Sequence, residues 1–143
     1  MQTIQAQPYR ADVINLLTAA NLPTQDLPLL LDNFFVTTEN DKLTGVIGLE
    51  IYGQYGLLRS LAVDATVRNI GVAGNLLHSI ESLAVDKNLK AIYLLTETAQ
   101  DYFDRKGYEH VARMDVPEEI KGSSEFSHVC PDSAIAMVKY IND

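Results

Sequence analysis

Leu57-Leu58-Arg59-Ser60-Leu61-Ala62-Val63, a break at Asp64, then Arg68-Asn69-Ile70-Gly71-Val72-Ala73-Gly74 running into Asn75-Leu76-Leu77, is the stretch on which the fold turns. It reads as an apolar strand, a short turn and a helix that begins on small residues. The first amides of such a helix have no helical acceptor and point outward, so the corner suits an anion. Gly71 removes the side chain where a phosphate must approach the backbone, Ala73 and Gly74 keep the next positions small, and Arg68 adds charge at the mouth. Diphosphate is the natural guest. Taken alone, R-x-x-G-x-A is a weak pattern, since a plain, tightly packed helix entry uses the same residues.

Outward from this corner, apolar residues recur at Ile70, Ala73, Leu76, Leu77, Ile80, Leu83 and Ala84, giving one helical stripe that faces a sheet up to about Lys87. His78 falls outside the stripe and reads as a solvated surface residue. Upstream, Phe34 to Thr38 and Leu43 to Tyr52 are strands joined by the polar turn Glu39-Asn40-Asp41-Lys42. Gly53-Gln54-Tyr55-Gly56 makes the next reversal, so a meander leads into the Leu57–Val63 strand. Thr3 to Gln5 reads as a first strand and Tyr9 to Ala20 as an amphipathic helix ended by Asn21-Leu22-Pro23. Thr24 or Asp26 would cap a second helix over Leu27 to Asp32, with Pro28 in its first turn.

Downstream, Ala91 to Leu95 is a short apolar run that should lie parallel to the strand before the long helix. Ala99 to Lys106 reads as a helix stopped by Gly107. Tyr108 to Met114 and Ala134 to Ile141 read as strands. The order fits a mixed α/β sandwich with helices on both faces of the sheet.

The 143 residues suit a single domain spanning 1–143, long enough to bury roughly 68–70% of its unfolded surface. A net charge of −8 repels a phosphate backbone, and the basic residues are scattered, so nucleic acid is not an expected partner. No stretch approaches the roughly 20 apolar residues that span a bilayer, and no leader pattern opens the chain. One cysteine excludes an intrachain disulfide and suits the cytoplasm. Cys130 reads as a small core residue, and His110 and His128 have no ligand-type neighbour at metal spacing, so no metal is expected.

The Leu61–Gly74 arrangement resembles the acetyl-CoA loop of the GNAT acetyltransferases, in which a strand leads into Q/R-x-x-G-x-G/A and a long helix. Ala99 through Phe103-Asp104-Arg105-Lys106-Gly107-Tyr108 is similar to that family's A-x-x-x-Y-x-x-x-G-F segment. The resemblance implies a three-layer sandwich whose mixed, mostly antiparallel sheet has splayed central parallel strands. It also implies acetyl-CoA as co-substrate, with the pantetheine arm added to the first parallel strand like a further strand. Leu61, Ala62 and Val63 would bind that arm, Arg68, Asn69, Ile70, Gly71, Val72, Ala73 and Gly74 the diphosphate, and the Leu61 amide would be the oxyanion donor. Thr96 and Phe103 occupy further cofactor positions of the pattern.

The chain departs from the family at informative places. Phe103 stands where a tyrosine often protonates the leaving thiolate, and Tyr102 lies about 100° away around the helix. A thiol with a reference pKa of about 8.5 can take its proton from water or from the ammonium intermediate. Leu57 stands where some members carry a glutamate base, and Thr96 where many carry asparagine. Hairpin geometry centred on Gln54-Tyr55 sets Glu50 opposite Arg59. The two are either a register-fixing ion pair or a functional pair, with Glu50 receiving the amine proton and Arg59 gripping an acceptor carboxylate.

The segments Arg113 to Ile120, Glu125-Phe126 and Val129 to Ala134 look like the arsenic-resistance N-acetyltransferase subgroup, whose name does not fix a substrate. A single thiol cannot chelate trivalent arsenic. The expected activity is N-acetyl transfer from acetyl-CoA to a small, amino-acid-like amine in a ternary complex. A GNAT-like domain that binds acyl-CoA without turnover is the alternative. The partners are a small-molecule amine and, as an option the sequence leaves open, a second copy in a homodimer.

Overall fold

The computed structural model describes residues 2–67, 71–123, 126 and 133–141. Arg68, Asn69 and Ile70 of the loop, together with His128 and Cys130, lie outside the described residues. Among the described residues, seven strands and four α-helices follow in the order β1 Gln2–Gln5, α1 Arg10–Ala19, β2 Phe34–Glu39, β3 Lys42–Tyr52, β4 Tyr55–Val63, α2 Val72–Asp86, β5 Ala91–Thr96, α3 Gln100–Arg105, β6 Glu109–His110, α4 Glu118–Lys121 and β7 Ile135–Tyr140. The sheet order is β1-β2-β3-β4-β5-β7-β6. The described pairings are antiparallel except β4 with β5. This is the mixed, mostly antiparallel α/β sheet expected from the sequence.

The chain divides into two compact units, Met1–Leu49 with Leu58–Leu83, and Glu50–Leu57 with Ala84–Asp143. In the first, the register Val36↔Val46 and Phe34↔Gly48 puts these four residues on one face of the β2–β3 ladder. That face packs on Val13 and Leu17 of α1. Thr37 and Gly45, one step along, point the other way, and a Cβ on Gly45 would meet Val72 and Leu76 of α2 at 2.9 Å. Helices α1 and α2 therefore cover opposite faces. Leu76, Leu77 and Ile80 carry the helical stripe and are buried, and His78 is exposed.

In the second unit, Ala91, Tyr93, Val138 and Ala136 share one face of the β5–β7 ladder and pack with Leu57, Val116 and Ile120. On the opposite face Lys139 meets Gly107 and lies over the Tyr108 ring.

Three sequence expectations are corrected. No helix forms over 27–32. Arg10 donates to the carbonyls of Pro28 and Leu29, at 2.6 and 3.2 Å, and Leu31 N–H goes to the Gln7 side chain, so distant side chains take the groups a helix would have used. The strand expected over 108–114 is cut to Glu109–His110, because Arg113–Asp115 turns into a short 3₁₀ segment. The second reversal is centred on Gly53-Gln54, with Gly53 at φ 63°, and Tyr55 already belongs to β4. The direct opposition of Glu50 and Arg59 rested on a centre one residue later and does not follow from this loop.

Candidate functional site

The site is built from β4 and the turn into α2. Parallel pairing of β4 with β5 covers Tyr55↔Ala91, Gly56↔Ile92 and Leu57↔Tyr93, so residues 58–63 run past the end of that register. After Val63 the Asp64 amide still donates to the Thr44 carbonyl at 2.8 Å, which holds the strand end to β3. The Asp64 carboxylate then accepts the Thr66 amide at 2.9 Å and its hydroxyl at 2.8 Å, starting the 3₁₀ turn Ala65–Val67. These bonds hold the Asp64 carboxyl below the ordinary carboxylate range.

At the far side of the turn Gly71 has φ 84°, a conformation that L side chains rarely adopt. Among the described residues a Cβ built there meets nothing within 4 Å, so on their side the space beside the backbone is open. The first helical bond of α2 runs from the Asn75 amide to the Gly71 carbonyl at 3.0 Å. The amides of Val72, Ala73 and Gly74 therefore have no intrahelical acceptor. Val72 turns its side chain toward Gly45, so only its backbone can serve a ligand. Open space at Gly71 and three helix-start amides are the donor set a phosphate group requires.

Within β4, Ser60 is a buried, non-glycine residue at φ 61°. A strand seldom contains such a residue, and its presence changes the direction of the amides that follow. Leu61 and Val63 are half-buried, and Ala62 is buried in the α1-facing core. Arg59 donates from Nε to Ser60 Oγ at 3.0 Å, and its fork is bidentate with Asp26, Nη1 to Oδ2 at 2.8 Å and Nη2 to Oδ1 at 2.7 Å. The Arg59 side chain is 0% exposed and that of Asp26 7%. An acceptor carboxylate would find this fork already filled.

In the second unit Glu50 accepts a hydrogen bond from the Tyr52 hydroxyl at 2.6 Å. Two residues apart on β3, these side chains share one side of the strand. Thr96 Oγ1, at the end of β5, accepts the Ala99 amide at 2.9 Å and ties β5 to the start of α3. Phe103 is buried, packed edge-on against Tyr102 at 5.3 Å and Tyr108 at 5.4 Å.

Asp26 carries no signal in the sequence. It sits 33 residues from Arg59 in a segment whose local pattern suggests a helix cap, and only tertiary packing assigns its carboxylate to Arg59. Ser60 is equally silent, since nothing in Arg59-Ser60-Leu61 marks a left-handed residue.

A family model described as an acetyltransferase (GNAT) domain matches residues 31–110, more than half the chain. No curated protein sequence gives a significant match. Among solved structures, N-acetylglutamate synthase from Neisseria gonorrhoeae, complexed with coenzyme A and N-acetyl-glutamate, is similar with TM-score 0.81 at 16% identity. The match covers 99% of this chain and 35% of that one, so this chain spans about a third of the synthase. A Mycobacterium tuberculosis protein, Rv2747, solved in complex with CoA, has TM-score 0.75 at 20% identity, covering 98% and 99% of the two chains. An acetyltransferase of the GNAT family from Staphylococcus aureus Mu50 has TM-score 0.78 at 20% identity, covering 99% of both. At these identities the likeness concerns the fold alone.

Proposed function

The chain belongs to the GNAT acetyltransferase family, and from that premise we propose that it moves the acetyl group of acetyl-CoA to the amine of a small, amino-acid-like acceptor. The observation that carries the reading is the corner itself, with its open space at Gly71 and its helix-start amides at Val72, Ala73 and Gly74. These residues hold the diphosphate, and Arg68, Asn69 and Ile70 complete the loop. The neisserial synthase and the mycobacterial protein are both described as complexes with coenzyme A, which supports an acyl-CoA co-substrate here.

The backbone of Leu61, Ala62 and Val63 receives the pantetheine arm as an added strand, and the Leu61 amide stabilises the oxyanion. The neutral amine attacks the acetyl carbonyl, the new C–N bond forms, and the C–S bond breaks. Before the attack, Glu50 takes the proton whose loss turns the acceptor's ammonium into the neutral amine, directly or through water. Thr96 and Phe103 keep the cofactor positions of the family pattern. Phe103 has no hydroxyl to donate, so the departing thiolate is protonated by water or by the ammonium intermediate. Arg59 contributes by shaping β4, since its fork is engaged by Asp26. The resemblance to the arsenic-resistance subgroup fixes no acceptor, so organoarsenical amines enter only as probes, and the lone cysteine suits a cytoplasmic setting.

The test is an acetyl-CoA turnover screen over amino acids, polyamines and organoarsenical amines, reading free thiol. Amine-dependent thiol release with at least one amino-acid-like acceptor is the expected result. Thiol release that no amine accelerates would overturn the reading.

A further inference from the structure

We propose that Asp26 is a positioning residue for the transfer step: through Arg59 it holds Ser60 in the left-handed conformation that aims the following β4 amides. The last link, from the aimed amides to the reaction, rests on the acetyl-transfer reading above. The first two links stand on geometry alone.

A non-glycine residue at φ 61° is strained and persists where its surroundings over-determine it. At Ser60 the surroundings are specific. Arg59 Nε donates to Ser60 Oγ at 3.0 Å, and the guanidinium that supplies this donor is planar, so the direction of Nε is set once the fork is fixed. Asp26 fixes the fork with two bonds of 2.7 and 2.8 Å, and Nη1 also reaches the Asp26 carbonyl at 3.3 Å. Burial makes the arrangement exacting, because a guanidinium removed from water keeps its charge only with a well-aligned partner.

Asp26 is itself held in place although its segment has no regular structure. The Leu27 amide bonds the Thr24 carbonyl at 3.2 Å, Arg10 takes the carbonyls of Pro28 and Leu29, and Gln7 takes the Leu31 amide. Leu31 is fully buried in the α1-facing core. A loop anchored on α1 and its preceding turn thus delivers a carboxylate to β4. An ion pair serving stability alone would require neither the Nε–Ser60 bond nor a left-handed residue beside it.

Removing one partner leaves a buried charge unpaired and risks unfolding, so the decisive variants are Asp26→Glu and the double variant Asp26→Leu/Arg59→Met, which removes both charges. Backbone amide spectra of the free protein report the Ser60 and Leu61 environments, and steady-state kinetics with acetyl-CoA and an active amine report the reaction. In the folded double variant the Ser60 and Leu61 resonances should move while those of β1 and β2 stay. Turnover at saturation should fall about 10²- to 10³-fold, the range for loss of an oxyanion donor, with the KM for acetyl-CoA little changed. Asp26→Glu should fall between the double variant and wild type on both readouts. Unmoved Ser60 and Leu61 resonances in a folded double variant would overturn the proposal, as would wild-type turnover with those resonances displaced. Displaced resonances in a chain that transfers no acetyl group would instead retire the functional reading and leave the Asp26–Arg59–Ser60 link standing.

Discussion

Replacing Gly71 separates the two features that make the α2 corner an anion site, its backbone conformation and its freedom from negative charge. At φ 84° any L residue is strained, by about 1–2 kcal/mol, but a Cβ finds nothing within 4 Å among the described residues, so they add no clash. Gly71→Ala should therefore lower the melting temperature modestly and weaken CoA little. Gly71→Glu carries the same strain plus a carboxylate beside the helix-start amides. Two like charges about 6 Å apart repel by about 0.7 kcal/mol in water and about 3 kcal/mol at an effective dielectric constant near 20. Gly71 is exposed, so the penalty lies within that range, a loss of CoA affinity of roughly 3- to 150-fold. Calorimetric titration of CoA into the three proteins at two salt concentrations measures it, and the gap between Ala and Glu should narrow at high salt. Equal affinities for a folded Gly71→Glu variant and wild type would refute the assignment. An alanine variant as weak as the glutamate one would show that backbone shape, and not charge, sets the affinity.

Gly48→Ala should destabilise the first unit by about 1–3 kcal/mol, read by thermal melting, because the new Cβ would lie 2.3 Å from the buried Phe34 ring. Glu50→Gln should lower the maximal rate by about 10²- to 10⁴-fold at nearly unchanged melting temperature; residual activity that merely tracks the folded fraction would make Glu50 structural. Burial, and then the neighbouring Tyr140 and Tyr55 phenols, push Tyr93 up to about 12. Its neutral form is favoured in the folded state, so its contribution is intact below pH about 10 and is lost as the unfolded phenol ionises between about 10 and 12. Stability measured across that window should fall less steeply for Tyr93→Phe than for wild type.

Local chemistry explains why the meander and the β4–α2 corner are legible in the sequence. Asn40 and Asp41, at φ 53° and 62°, tolerate the left-handed turn between β2 and β3, and beyond Gly71 the apolar residues of α2 recur at the helical spacing. The segment from Thr24 to Asp32 is illegible because its backbone groups are satisfied by Arg10 and Gln7, residues that no local pattern connects to it. Insertion of β7 between β5 and β6 is a non-local choice as well, and the 3₁₀ turn at Arg113 ends β6 before its apolar pattern does. For the site, the backbone donors follow from small residues at a helix start. The Asp26–Arg59–Ser60 arrangement joins residues 33 apart through a buried charge, which sequence spacing cannot encode.

The most direct measurement of direct acetyl transfer is a single-turnover reaction with acetyl-CoA labelled in its acetyl group and a mixed pool of amino acids, resolved by mass spectrometry. The expected result is the label on the nitrogen of a small amine, in amounts equal to the free CoA formed, with none on the protein. Label retained on the chain, or acetyl-CoA bound and recovered intact in the presence of every amine, would contradict it.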